Sequence, residues 1–231
     1  MKKNIFKPAN ILSISLILLG VFVFLFIHPF IYSYIGIIEQ GKTNVRNTKW
    51  DKLAVKYSIF KKQKKFTINA AIPSLILSEE YDNAIEYFHK LEEMNIANAR
   101  NYYFASFAYE QKEDFNNALK YAKKSGDKFR EVKVYIKMKD FKNAERILNE
   151  LSKETPIKPR VYLYQAELKM GQKDWKDANI YIDKFLKINQ NSKEAIKDKV
   201  EISQQLGNTK DYQKYINKLK DIETKLENRI N

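Results

Sequence analysis

The chain has 231 residues, 44% of them apolar and 13% aromatic, enough to build a core, while six glycines and five prolines leave little room for strand turns or Gly-rich phosphate loops. It contains no cysteine and only two histidines, His28 and His89, which excludes disulfides, thiolate metal sites and cysteine nucleophiles and argues against a histidine metal cluster. The formal net charge of +14 is uneven: residues 1–38 hold three lysines and no acid, residues 39–78 nine basic and two acidic residues, and residues 79–231 have 30 basic against 26 acidic. A nucleic-acid groove would spread its excess along the whole chain, so no nucleic-acid partner is expected.

Residues 1–8 form a short tail with Lys2, Lys3 and Lys7, expected on the cytoplasmic side. From Pro8 to Ile38 no Lys, Arg or carboxylate occurs, and Ile11–Ile27 is apolar on every helical face, so this is no amphipathic core helix. About 20 such residues cross the hydrocarbon layer. The pattern therefore predicts one uncleaved membrane helix near Ala9–Phe30, within a spanning and interfacial segment over 9–38. Pro29 is expected to bend or end it, and Tyr32 and Tyr34 suit the interfacial belt. The charge rule nearly ties between the two sides; a Lys-rich tail crosses reluctantly, which favours residues beyond the helix lying outside the cytoplasm.

Residues 39–65 read as a basic juxtamembrane segment, with Gly41–Thr48 as a flexible exit. Trp50, Leu53, Tyr57 and Phe60 then share a helical face, predicting a helix that ends in Lys61–Lys65 and caps the membrane-near end of residues 66–231. Lys61, Lys62, Lys64 and Lys65 are either a solvated charge cluster or a contact for anionic lipid, the latter only if the helix folds back toward the bilayer.

Beyond this point an acidic residue, an aromatic and, three positions on, an alanine recur: Glu80-Tyr81…Ala84, Asp114-Phe115…Ala118, Asp140-Phe141…Ala144 and Asp174-Trp175…Ala178. A fifth copy, Asp211-Tyr212…Tyr215, loses the alanine, and the aromatics are separated by 34, 26, 34 and 37 residues. A near-fixed period of this size predicts small units that bury their apolar faces on one another. The acidic residue is expected to cap the second helix of each unit, and the alanine to let two helices approach closely. The third copy is eight residues short, predicting a first helix near Lys128–Met138 clipped by about two turns. The charged fifth copy, Tyr212–Ile230, is expected to be a terminal solvating cap.

These units resemble the tetratricopeptide repeat (TPR) family, in a membrane-anchored bacterial form. Tyr102, Ala105, Ser106, Tyr109, Phe115 and Ala118 fit its motif in the second copy. Tyr135, Phe141, Ala144 and Pro156 fit in the third, and Tyr162, Ala166, Trp175 and Ala178 in the fourth, where Lys169 replaces the motif tyrosine. The resemblance implies an all-α fold, an N-terminal transmembrane helix followed by an α-solenoid of about five helix–turn–helix repeats over residues 66–231. It also implies a groove lined by the first helix of each pair. Carried over by position, that groove comprises Tyr103, Phe107 and Glu110, then Lys133 and Ile136, then Leu163, Glu167 and Met170. The implied role is a scaffold or adaptor for a protein partner, a peptide segment or complex subunit, in envelope assembly or protein secretion and maturation. A structural subunit without a peptide ligand and a basic nucleic-acid binder are the alternatives. No catalytic residue, cofactor or metal is expected; His89 has no second ligand beside it in sequence, and no nucleophile motif occurs.

Overall fold

The computed structural model describes residues 8–43, 47–154, 156 and 158–227, with side chains placed for 15–38, 47–154, 156 and 158–224. The tail up to Lys7, Arg46 of the expected exit segment and Ile230 of the fifth copy lie outside the described residues. Among the described residues the chain forms α-helices and no strand: α1 (Pro8–Thr43), α2 (Thr48–Tyr57), α3 (Lys61–Leu77), α4 (Tyr81–Glu93), α5 (Ala99–Gln111), α6 (Phe115–Ser125), α7 (Lys128–Lys137), α8 (Phe141–Ser152), α9 (Pro159–Gly171), α10 (Trp175–Ile188), α11 (Lys193–Gln205) and α12 (Thr209–Glu227). Two compact units, Met1–Ala108 and Tyr109–Asn231, divide within α5.

In the first unit α1 is a single helix, with Pro29 inside it. Pro29 does not end it, and Gly41–Thr43 are its last residues rather than a flexible exit. The stretch Ser15–Ile38 is long and apolar enough to cross a membrane. Large apolar side chains are exposed from Leu16 to Ile27 and again at Ile31, Tyr34, Ile37 and Ile38, while from Leu25 onward one face of α1 packs on α2 and α3. The His28 ring lies 5.2 Å from Tyr57, and Tyr32 stacks on Tyr57 at 5.7 Å and on Trp50 at 5.9 Å. Tyr32 is thus used for packing, and Tyr34 alone of the expected interfacial pair stays exposed.

Proline has no N–H, so the carbonyl four residues before it loses its helical donor. For Pro29 that carbonyl belongs to Leu25. Gln63, only 1% exposed, supplies the donor: its Nε2 donates to Leu25 O at 3.0 Å and to Phe26 O at 2.6 Å. The same side chain accepts through Oε1 from the backbone N–H groups of Ile59 (3.3 Å) and Phe60 (3.2 Å), capping α3. This cap corrects the expected boundary. The run Lys61–Lys65 opens α3 instead of closing α2, because Ser58 ends α2 and its Oγ bonds to Ala54 O (2.7 Å) and Thr67 Oγ1 (3.0 Å).

The repeat signature is explained at the turns. Glu79, Glu113, Lys139 and Lys173 all have φ near +60° (58–62°), and each immediately precedes the acidic residue of the motif. Such a left-handed residue reverses the chain between two helices within a few positions. Asp114, Asp140 and Asp174 then accept the amide N–H of Asn117 (3.1 Å), Asn143 (3.2 Å) and Asp177 (3.2 Å) as expected caps. Glu80 does not cap. Its longer side chain instead accepts from Thr48 Oγ1, Lys52 Nζ and Asn83 Nδ2, tying α4 to α2. Burial opposes its ionised form, but the donors from Lys52, Thr48 and Asn83 outweigh burial and hold it below the usual carboxylate value.

The fifth copy is registered differently from the sequence expectation. Gly207 (φ +67°) takes the left-handed position, and Asn208 accepts from Asp211 N at 3.1 Å, so α12 starts at Thr209. Counted between left-handed residues 173 and 207 the last spacing is 34, not 37, and Tyr212 rather than Tyr215 replaces the motif alanine. The short third copy is also redistributed. α7 has 10 residues against 13 in α5 and α9, less than one turn lost, and the connection before it is only Gly126-Asp127. Gly126 (φ +72°) makes that two-residue turn possible.

The motif alanines are buried: Ala84 is 2% exposed, and Ala118, Ala144 and Ala178 are 0%. In the second unit each helix packs on its sequence neighbours. One core gathers Val132, Tyr135, Ile147, Leu148, Val161 and Leu168; another gathers Leu163, Ile182, Phe185, Ile196 and Ile202. Fully burying one such aliphatic side chain contributes roughly 1.5–3 kcal/mol, so each pair leans on its neighbour for much of its stability.

Candidate functional site

The first helices of three successive pairs in the second unit, α7, α9 and α11, lie side by side. They bring together Lys133, Glu167 and Glu194 from distant points of the chain. Lys133 Nζ sits 3.4 Å from Glu167 Oε1 and 3.1 Å from Glu194 Oε1. Asp198, one turn beyond Glu194 on α11, belongs to the same electrostatic group. Burial pushes its carboxyl up to about 7, and the neighbouring Glu167 and Glu194 charges push the same way against Lys133. Asp198 Oδ2 is buried and has no hydrogen-bond partner among the described residues. Glu167 is likewise raised, by burial first, with Lys133 pulling it back. Burial works against the charged form of Lys133, but Glu167 and Glu194 outweigh it and hold the ammonium above the usual lysine value.

This strip is therefore one cation among three carboxyl groups, partly desolvated. It can accept hydrogen bonds and ion pairs from a partner, and Asp198 can change charge near neutral pH. Deeper in the same unit Glu110 and Arg130 form an ion pair at 2.5 Å with side chains 5% and 3% exposed. Lys199, 1% exposed, reaches Asn179 Oδ1 and Asp183 Oδ1 at 2.6 Å each and Asp211 Oδ2 at 3.5 Å. These two cations are spent inside the fold, linking helices. In the first unit the corresponding face of α5 carries Tyr103 and Phe107, both half-buried. The Tyr103 ring meets Phe104 edge-on at 5.9 Å, and Phe107 lies 6.4 Å from Tyr81.

No family model matches the chain, and no curated protein matches it either. Solved structures do. PilW, a type IV pilus biogenesis factor, superposes with a TM-score of 0.61 at 16% identity, covering 84% of this chain and 92% of its own. A tetratricopeptide repeat protein from Parabacteroides merdae ATCC 43184 superposes with a TM-score of 0.62 at 10% identity, covering 85% of this chain and 78% of its own. The chain has the tetratricopeptide-repeat fold.

In this TPR frame the residues expected to line a groove divide into two sets. Tyr103, Phe107, Lys133, Ile136, Glu167 and Met170 keep part of their surface exposed. Of these, Ile136 and Met170 also pack against the cores below them. Glu110 and Leu163 are buried, at 6% and 5% exposure. Glu110 is turned inward by Arg130, and Leu163 belongs to the core around Ile182, so neither presents its side chain to a ligand.

Sequence reasoning missed Glu194 and Asp198. Registering the fifth copy at Asp211-Tyr212 leaves α11 without a pair, and so without an expected groove face. The Gly207-Asn208 turn was the available signal: it sits 34 residues after Lys173 and makes α11 the first helix of the fifth TPR pair. Among the described residues no group of His, Cys, Asp and Glu could hold a metal ion.

Proposed function

We propose that this protein is a single-pass, membrane-anchored TPR scaffold that holds a protein partner beside the bilayer, with its repeats on the extracytoplasmic side. The supporting observation is a contrast within one chain. Large apolar side chains of α1 from Leu16 to Ile27 lie 37–65% exposed, far more than water tolerates on one continuous surface, while the TPR pairs bury cores of their own. Within the second unit the partner binds along the first helices α7, α9 and α11, through Lys133, Glu167, Glu194 and Met170; within the first unit Tyr103 and Phe107 of α5 offer an aromatic contact of their own. Aromatic anchors and partly desolvated charges are the groups that dominate recognition of a peptide segment. Tethering to the bilayer raises the effective concentration, so individually weak contacts suffice. PilW, of the same fold, is a pilus biogenesis factor; by that analogy envelope-complex assembly or protein secretion and maturation is the process served. The same reading brings the basic turn Lys61, Lys62, Lys64 and Lys65 close to the membrane.

The test is affinity capture of the full chain from detergent-solubilised membranes, comparing wild type with Tyr103→Asp/Phe107→Asp and with Glu194→Lys. Loss of a specific protein with either variant, at unchanged helicity, supports a groove-bound client. Retention of every partner by both variants makes the chain a structural subunit instead. A reporter fused after Asn231 and active on one side of the membrane only decides the orientation.

A further inference from the structure

The first turn of α3 lies beside Leu25–Phe30 of α1. The Phe60 ring lies 5.9 Å from Phe26, and the Phe66 ring lies 5.0 Å from Phe30. Between them Gln63 bonds directly to the Leu25 and Phe26 carbonyls at 3.0 and 2.6 Å. Lys61, Lys62, Lys64 and Lys65 stand on this same turn, and all four are exposed. The segment therefore folds back against α1, and on the reading of α1 as a spanning helix that carries it toward the bilayer.

Depth follows from length. At a rise of about 1.5 Å per residue, a hydrocarbon layer of about 30 Å takes about 20 residues. Counting from Pro8, the first residue after Lys7, such a span ends near Ile27. Shifting the bilayer further along α1 would draw the four lysines into hydrocarbon, where charged side chains are strongly disfavoured. The start of α1 at Pro8 on one side and the Lys61–Lys65 turn on the other thus bracket the layer.

The surface chemistry agrees with that depth. Ile59, Phe60 and Phe66 are 51%, 42% and 53% exposed, and they continue the exposed apolar surface of Phe26 and Ile27. α3 carries no acidic residue, and none of its four lysines makes an ion pair among the described residues. They also crowd the positive end of the α3 dipole, where cations are disfavoured and an anion is favoured.

We propose that this turn is a lipid-binding surface, in which Phe60 and Phe66 rest against acyl chains while Lys61, Lys62, Lys64 and Lys65 hold the anionic headgroups of the leaflet beyond Ile27. This rests on the reading of α1 as a spanning helix. Each lysine near an anionic surface contributes roughly fivefold to lipid partitioning, so the four together prefer anionic over zwitterionic lipid by up to several hundredfold locally, and by less where lipids exchange freely.

The experiment uses the full chain reconstituted into vesicles of phosphatidylcholine alone or mixed with phosphatidylglycerol. Alkaline carbonate extraction first reports whether α1 spans. Spin-labelled phosphatidylglycerol and phosphatidylcholine then report headgroup preference, for wild type and for Lys61→Gln/Lys62→Gln/Lys64→Gln/Lys65→Gln. A Phe66→Trp variant in a Trp50→Phe/Trp175→Phe background reports depth through quenching by lipids brominated along the acyl chain. The expected result is a carbonate-resistant protein that prefers phosphatidylglycerol several-fold, loses that preference in the quadruple variant, and is quenched most by bromines near the headgroup. Release by carbonate overturns the spanning reading and this proposal together. A carbonate-resistant protein whose lipid preference is absent or unaffected by the quadruple variant, or whose Trp at 66 is not quenched, overturns this proposal alone. The helicity of the quadruple variant is checked alongside; its four lysines are exposed, so its fold is expected to hold.

Discussion

Gln63→Ala is the substitution whose consequence the structure specifies most fully. The Gln63 amide makes four hydrogen bonds from a position 1% exposed, two to α1 carbonyls and two from the amides that open α3. Alanine removes the Gln63 donor from the Leu25 carbonyl, which Pro29 cannot replace, and uncaps α3 as well. A buried polar group left unmade costs about 1–3 kcal/mol. Relaxation and water entry at the α3 end recover part of this, so the expected loss is roughly 3 kcal/mol in total. Pro29→Ala supplies the missing N–H to Leu25. In that background the Gln63→Ala penalty should fall by about 1–2 kcal/mol, a coupling well outside the usual additivity error. The assay is denaturant unfolding of the full chain in detergent micelles by far-UV circular dichroism, with hydrogen exchange at Ile59 and Phe60 reading the cap separately. Equal penalties in the two backgrounds would refute the claim that Gln63 repairs the proline gap.

Other outcomes rest on single sites. Asp198 has a folded-state value of about 7 against 3.8 for the free side chain, so folding takes up a proton between those values, and this group's contribution to stability falls as pH rises from about 4 to 7 and is flat above. That shift corresponds to at most about 4 kcal/mol, reduced to roughly 1–2 by partial solvation. Asp198→Asn should therefore stabilise the protein by roughly 1–2 kcal/mol at about pH 8 and change little at about pH 4, measured by urea unfolding across pH. A methyl group added at Gly171 would meet Phe141 Cε1 at 2.9 Å, so Gly171→Ala should lower stability by about 1 kcal/mol despite the better helix propensity of alanine. Shrinking the ring with Phe141→Leu should remove that sensitivity in a double-mutant cycle. Asp114→Ala removes the cap on Asn117 N and should cost about 1 kcal/mol, with amide exchange rising first at the start of α6.

Much of the fold was legible because each repeat carries its own punctuation. The acidic cap, the aromatic and the buried alanine are local requirements of a tight turn and a close helix contact, so they survive at fixed offsets. What the sequence did not mark was the left-handed residue before the cap: Glu79, Glu113, Lys139 and Lys173 are not residue types that announce a positive φ. At the turns inside the pairs Gly207 alone, among the described residues, does, and reading the acidic motif instead shifted the fifth pair by three residues and hid α11. The boundary at Lys61 was missed for a related reason. Phe60-x-x-Gln63 is a capping pattern without the usual Ser or Thr, and its meaning depends on Pro29, more than 30 residues earlier. The groove was half legible. Positions on a first helix can be counted from the turn, but whether Glu110 faces outward depends on Arg130, which no spacing within one repeat reveals.

The central claim, a membrane-held TPR scaffold that grips a protein along its first helices, is tested most directly by photo-crosslinking in native membranes. A photoreactive residue replaces Glu194 on α11 or, as a control, Arg146 on the exposed side of α8. The account predicts a discrete protein adduct from position 194, retained in the membrane fraction, and none from position 146. An adduct from position 146 alone, or no adduct at 194 in membranes where the chain is intact, would contradict it.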